Sequence, residues 1–298
     1  MTDAAARVIA QCKVNLRLRL LARERSGYHQ IETIFQRLAL GDEVVVRVGG
    51  RDRTIDCRGD DVGPAEQNLA WRAALLYAES GWPAYFSIEI DKRVPVGAGL
   101  GGGSADAGAV LRALDALNPS PLGTEHLLDI AGRLGADVPV LTTTGATTLA
   151  WGRGQRMLAL APLPERSVWL LVPPFRIATT EAYAWMDEAR ERQPRALGEG
   201  EQAALLVPEV LADWDGIAAF ARNDFEGEIG RRQPSVPMLI ESLHALGARP
   251  AMLSGSGSAV FGVFAPERAP AAWPGSTTGA RAIATRTASR VVPVERLE

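Results

Sequence analysis

Pro95-Val96-Gly97-Ala98-Gly99-Leu100-Gly101-Gly102-Gly103-Ser104-Ala105-Asp106-Ala107 places five glycines within seven positions. The stretch follows a strand-like run, Phe86, Ile88 and Ile90, and precedes a helix-like run, Val110, Leu111, Leu114 and Leu117. Glycine loses more conformational entropy on folding than any other residue, so this density implies a ligand that needs bare backbone. A strand, a glycine loop and a helix start suit a phosphate, because free N–H groups and the positive end of the helix dipole point at it. Ser104 can cap that helix, and its hydroxyl can also reach a phosphate-bound magnesium ion.

The loop is not of the Walker A type, since no Gly-Lys-Ser/Thr closes it. Gly97, Gly99 and Gly102 do match the G-x-G-x-x-G spacing of dinucleotide-binding oxidoreductases. Against that reading, several plausible strands precede the loop, and Pro95 suits a loop entrance. The acidic residue expected about 20 positions on would be Asp115 or Glu125, and neither ends a second strand.

Composition sets the outer bounds. The chain has 298 residues, 47% of them apolar, enough for one large or two ordinary domains. Lys and Arg number 32 against 35 Asp and Glu, which gives no reason to expect nucleic acid or an anionic membrane as partner. No apolar run is long enough for a membrane span, and Met1-Thr2-Asp3 begins no signal peptide, so a cytoplasmic protein is expected. Cys12 and Cys57 form no disulfide framework, and His29, His126 and His244 lack metal-ligand spacing, so no structural metal is expected.

Residues 14–20 alternate strictly, with Val14, Leu16, Leu18 and Leu20 on one strand face and Lys13 and Asn15 on the other. Residues 31–40 are apolar-rich, and 44–48 read as a strand. Helical spacing marks 68–80, 105–117 and 124–134, the last stopped by Gly135. Residues 147–158 look like a hairpin, 168–172 and 259–264 like strands, and 179–190 and 237–246 like helices. The texture changes at Pro162 and Pro164, which places a domain boundary near 160 and divides the chain into 1–160 and 161–298. Two β-rich halves carrying helices imply an α+β architecture.

The pattern P-x-G-x-G-L-G-G-G-S-[SA]-[ND]-A resembles the phosphate loop of the GHMP kinases, a superfamily of small-molecule kinases. Lys13-Val14-Asn15-Leu16, Gly27-Tyr28-His29, Gly135-Ala136-Asp137-Val138-Pro139, Asn223-Asp224-Phe225-Glu226 and Leu253-Ser254-Gly255-Ser256-Gly257-Ser258 follow in the matching order. Together they resemble the branch that phosphorylates a cytidine diphosphate ester of methylerythritol, and the likeness spans nearly the whole chain. It implies a ribosomal-protein-S5-like N-terminal domain, a ferredoxin-like C-terminal domain, a substrate cleft between them, and ATP with Mg2+ as cofactors. The chain is then expected to act on a small molecule as a monomer or weak homodimer.

The resemblance also implies roles. Pro95, Gly97, Gly99, Leu100, Gly101, Gly102, Gly103, Ser104 and Asp106 would form the ATP site, with Asn68 at the adenine and Lys92 near nucleotide or phosphate. Lys92 could equally be a solvated charge beside Asp91 and Arg93. Asp137 would be the catalytic carboxylate, although a helix N-cap before Val138-Pro139 is also open. Lys13 would be its cation, with Asn15 on the same polar wall. Tyr28 and Tyr183 would bracket the cytosine, His29 would read its edge, Thr179 would bind substrate, and Gly255, Ser256 and Gly257 would line its diphosphate. Asp106 stands where the family usually has Asn, so it would repel phosphate unless turned away or used for magnesium. The remaining rivals are a GHMP kinase for mevalonate or homoserine, the oxidoreductase, and a binding protein that has lost catalysis; Lys13 together with Asp137 argues against the last.

Overall fold

Strands β1, Ala4–Arg23, and β2, His29–Val48, are each 20 residues long and pair antiparallel. Strand β1 runs well past its alternating segment, because its apolar residues keep their parity beyond it. Even-numbered residues of β1 from Ala6 to Leu20 are all buried, and they serve three hydrophobic clusters in turn. Ala6, Val8 and Ala10 enter the first, Cys12, Val14 and Leu16 the second, Leu18 and Leu20 the third. Gly41 does not interrupt β2; a Cβ there would lie 2.8 Å from the Ala10 carbonyl oxygen, so glycine is what lets the strands pass. The computed structural model describes residues 4–192, 207–275 and 278–298; Met1-Thr2-Asp3 lies outside them.

The following elements are β3 (Arg53–Arg58), α1 (Leu69–Ala78), β4 (Phe86–Asp91), α2 (Gly102–Leu117), α3 (Gly123–Leu134), α4 (Val138–Thr142), β5 (Thr147–Gly152) and β6 (Arg156–Ala159). Then come β7 (Ser167–Val172), α5 (Thr179–Arg192), α6 (Pro208–Leu211), α7 (Trp214–Phe220), β8 (Arg222–Asn223), α8 (Glu226–Arg232) and α9 (Ser235–Ala245). The chain closes with β9 (Ala251–Leu253), β10 (Val260–Phe264), β11 (Arg281–Arg286) and β12 (Glu295–Leu297).

The larger sheet runs β12-β1-β2-β4-β3, with β5 and β6 attached at β2 and β8 at β1. The smaller is antiparallel, β11-β7-β10-β9. Its strands all follow residue 160, whereas β8 and β12 return to the larger sheet. The α+β expectation matches this arrangement. Gly135 ends α3, but in extended backbone with φ 167° rather than the left-handed turn expected of it.

Helix α2 sits at the centre of the first cluster. Its small residues, Ala105, Ala107, Gly108 and Ala109, let other elements close on it from several sides. A Cβ on Gly108 would stand 2.6 Å from the Leu141 carbonyl oxygen on α4. Replacing Gly108 by Ala gains about 1 kcal/mol of helix propensity, but overpacking against backbone costs about 1–3 kcal/mol. Gly108→Ala is therefore expected to lower the urea midpoint of unfolding. A midpoint at or above wild type would show that α2 and α4 separate without cost.

Candidate active site

Gly97, Gly99 and Gly101 take left-handed φ values of +73°, +80° and +71°. At Gly99 no other residue fits, because a Cβ would fall 2.2 Å from the Ser254 carbonyl oxygen and 2.8 Å from that of Gly257. The two glycine-rich turns thus interlock across the halves of the chain. Ala259 N–H donates to the Ala98 carbonyl at 3.0 Å, and Ser254 Oγ donates to the Gly99 carbonyl at 3.0 Å. Gly101 is the N-cap, so α2 starts three residues earlier than its apolar spacing suggests. This corrects the capping role expected of Ser104, which lies inside the first turn. That turn's N–H groups have no intrahelical partners, as a phosphate cradle requires.

Lys13 is buried with its ammonium among three oxygens. It donates to Asn15 Oδ1 at 2.8 Å and to the Gly99 carbonyl at 2.9 Å, and it lies 3.5 Å from Asp137 Oδ2. Its backbone N–H donates to the Leu100 carbonyl at 3.0 Å. One residue on β1 therefore holds the glycine loop and stands beside the carboxylate. Asp137 is the N-cap residue of α4, as the alternative had it, but its side chain makes no capping hydrogen bond. About a third of its side chain is exposed, which leaves the carboxylate available to the cleft.

Lys92 is not solvated. Its ammonium lies between Asp42 Oδ2 at 2.5 Å and Asp106 Oδ2 at 2.7 Å, all three side chains buried. Asp42 Oδ1 also accepts from the N–H groups of Arg93 and Val94, fixing the entrance to the loop. Burial works against the Lys92 charge, but Asp106 and Asp42 outweigh it and raise its pKa. With two carboxylates to one ammonium, the excess negative charge is reduced at Asp106, whose carboxyl burial pushes up to about 8. Asp106 thus turns towards Lys92, and its Oδ1 is buried without a partner among the described residues. Sequence reading missed Asp42; its place in the charged pair Asp42-Glu43 between two apolar runs was the available signal.

The cleft measures about 460 Å³ and draws on both halves. Its lining includes Lys13, Asn15, Asn68, Lys92, residues 95–104, Asp106, Asp137, Thr179, Tyr183 and residues 255–257. Asn68 caps α1, its Oδ1 accepting from Ala70 N–H at 2.9 Å. Thr179 and Ser256 face each other, their hydroxyl oxygens 3.3 Å apart. Asn223 Nδ2 donates to the carbonyls of Leu253 and Gly255, which holds the second glycine turn in shape. Arg176, also missed from sequence, crosses the first turn, with its Cδ 3.1 Å from where a Gly97 Cβ would be.

The aromatic bracket is not assembled as expected. Tyr183 lines the cleft, but Tyr28 is 61% exposed at the hairpin tip, under the Arg153 guanidinium 4.4 Å from its ring. The cation covers one face of that ring. His29 packs on Tyr183 instead, centroids 4.9 Å apart, and neither His29 nor Tyr28 reaches the lining.

A sequence model described as GHMP kinases N terminal domain matches residues 68–145, and one described as GHMP kinases C terminal matches 206–274. A 4-diphosphocytidyl-2-C-methyl-D-erythritol kinase of Pelotomaculum thermopropionicum is 36% identical over 262 residues, covering 86% of this chain and 88% of that one. Another, from Geobacter sp. (strain M21), is 38% identical over 266 residues, covering 88% and 90%. The chain belongs to the 4-diphosphocytidyl-2-C-methyl-D-erythritol kinase family of the GHMP kinases. A crystal structure of a 4-(cytidine 5'-diphospho)-2C-methyl-D-erythritol kinase superposes with a TM-score of 0.73 at 34% identity, covering 94% of this chain and 98% of that one. Homoserine kinase from Cytophaga hutchinsonii shares the fold at a TM-score of 0.69 and 17% identity, covering 98% and 97%. The protein is an ATP-dependent kinase, so the G-x-G-x-x-G spacing does not mark a dinucleotide-binding oxidoreductase.

Glu226 ties this site to pH. Its Oε1 accepts from the Leu253 N–H at 2.8 Å, and burial pushes the carboxyl up from 4.5 to about 7. The native state binds this proton more tightly than the unfolded chain. The stability it adds is therefore complete below about pH 4.5 and is lost as pH rises through about 7. Glu226→Gln should show a shallower fall in unfolding free energy between pH 5 and 8 than wild type, with the Asp106 contribution remaining in both. Parallel slopes would remove Glu226 from the effect.

Proposed function

We infer that the protein transfers the γ-phosphoryl group of ATP to the 2-hydroxyl of 4-diphosphocytidyl-2-C-methyl-D-erythritol, a step in non-mevalonate isoprenoid precursor biosynthesis. The observation that carries the catalytic part of this reading is the Lys13 ammonium held between the Gly99 carbonyl and the Asp137 carboxylate. Phosphoryl transfer needs positioning and charge stabilisation more than covalent help from the protein. The glycine loop and the first turn of α2 cradle the triphosphate. Asp137 receives the proton of the attacking hydroxyl as the new P–O bond forms and the bond to the β-phosphate oxygen breaks, releasing ADP. Lys13 holds Asp137 in position and stabilises the negative charge that develops nearby.

Magnesium fits the donor set of this turn. Ser104 presents a hydroxyl on the cleft wall, and a hard cation takes oxygen ligands while keeping phosphates and waters around it. Ser104 would hold the ion alongside the nucleotide phosphates, and the ion would supply neutralisation of phosphate charge. Among the described residues no group of three His, Cys, Asp or Glu forms a protein cage for a metal. Thr179, Tyr183 and residues 255–257 serve the acceptor end, Tyr183 as a stacking face for the cytosine. Residues 1–160 then carry the nucleotide and catalytic groups, and 161–298 complete the substrate wall. A cytoplasmic enzyme suits this reading, and no helix among the described residues is long and apolar enough to cross a membrane.

ADP release measured with the cytidyl substrate, mevalonate and homoserine is expected only with the first. Release with mevalonate or homoserine alone would overturn the substrate assignment. Asp137→Ala is expected to lower kcat by about 10²–10⁴-fold, the range for loss of a positioned proton acceptor, while ADP affinity by calorimetry stays near wild type. Near-normal turnover in that variant would take Asp137 out of catalysis.

A further inference from the structure

The β1–β2 hairpin and helix α5 come from opposite halves of the chain, and a buried side-chain pair joins them beside the cleft. Asp187 Oδ1 lies 2.7 Å from His29 Nε2, and the imidazole is almost wholly buried. A carboxylate only accepts, so His29 donates from Nε2. Tyr183 lies one helical turn before Asp187, on the same face of α5. Its ring rests against that imidazole at 4.9 Å, tilted by 32°, and meets the edge of Phe225 at 5.1 Å. The imidazole is thus held by a carboxylate and an aromatic ring from one helix.

Helix α5 also packs Tyr183, Trp185 and Met186, partly buried, against the third cluster, and its Arg192 donates to Glu228 at 3.0 Å. Ala182 is its one fully buried residue. Arg190 donates to the Leu20 carbonyl at 2.6 Å. Arg23 stands 3.5 Å from Asp187 Oδ2 but is more than half exposed, and such pairs contribute little. The His29–Asp187 bond thus fixes the imidazole against the face of α5 that carries Tyr183, while Thr179 is held by Ser256.

We propose that Asp187 is a positioning residue for nucleobase recognition: it locks the His29 imidazole, which in turn sets the Tyr183 ring as the wall on which the base stacks. This rests on the reading that the substrate carries a cytosine. Asp187 touches neither substrate nor reacting atoms, so its loss should appear in affinity for the base-bearing ligand and not in chemistry.

The test uses the full-length enzyme, with steady-state kinetics and calorimetric binding of CDP as a catalysis-free probe. Asp187→Ala should raise KM for the cytidyl substrate, and Kd for CDP, about tenfold, the effect of losing one charge-assisted hydrogen bond. Its kcat and its KM for ATP should stay within about twofold, a change too small to represent a lost hydrogen bond. Asp187→Asn keeps an oxygen that accepts from Nε2–H and should restore most of the affinity, which also keeps the test open if Asp187→Ala folds poorly. His29→Ala should resemble Asp187→Ala, and the double variant should be no weaker than the worse single one. An unchanged CDP affinity in Asp187→Ala, an equal rise in KM for ATP, additive losses in the double variant, or no rescue by Asn would overturn the proposal. If wild type turns over the cytidyl substrate and these results fail, only the role of Asp187 falls. If wild type does not turn it over, the functional reading falls first and this one with it.

Discussion

A buried ammonium must find oxygen partners, because an unpaired charge in the interior is far too costly to keep. Lys13 meets that demand with an amide oxygen from its own strand, a carbonyl from the phosphate loop and the carboxylate that precedes α4. Three segments distant in sequence are thereby fixed to one point. If the ammonium were absent, the Gly99 carbonyl would keep only Ser254, and Asp137 would lose the cation that aims it. The same constraint explains why β1 carries polar residues on one side while burying aliphatic ones on the other. Its even-numbered side chains join three clusters into a continuous core, and its odd-numbered Lys13 and Asn15 form the floor of the cleft.

The second organising contact is between two turns that neither half could keep alone. Gly99 passes so close to Ser254 and Gly257 that only bare backbone fits. Asn223 and Glu226 hold the far side of this junction through the Leu253 and Gly255 backbone. Asp42 does the equivalent for the loop entrance, with both oxygens engaged. The motifs noticed as separate words in the sequence are therefore the parts of one hydrogen-bonded assembly.

Much of this was legible beforehand, for reasons that residues make plain. The glycine loop announced itself because glycine at such density has few structural uses, and the alternation at 14–20 gave the strand and the polar face of Lys13 and Asn15. The length of β1 and β2 was not legible, since Gly41 reads as a breaker until its near contact with Ala10 is known. The start of α2 was placed too late because periodicity sees apolar residues, and Gly102 and Gly103 offer none. Ser104 looked like a cap for the same reason. Lys92 could not be told from a surface lysine, since its partners Asp42 and Asp106 lie 50 and 14 residues away. Tyr28 was assigned by analogy to a stacking role, and no local pattern reveals that Arg153 covers it in this structure.

The Gly99 carbonyl is gripped from both sides, by Lys13 of one half and Ser254 of the other. Any shift of residues 254–257 is therefore felt in the first glycine turn. Thermodynamic linkage then requires the influence to run backwards with equal strength. The two halves of the chain are therefore not mechanically independent here: strain entering on one side of this carbonyl is passed to the other.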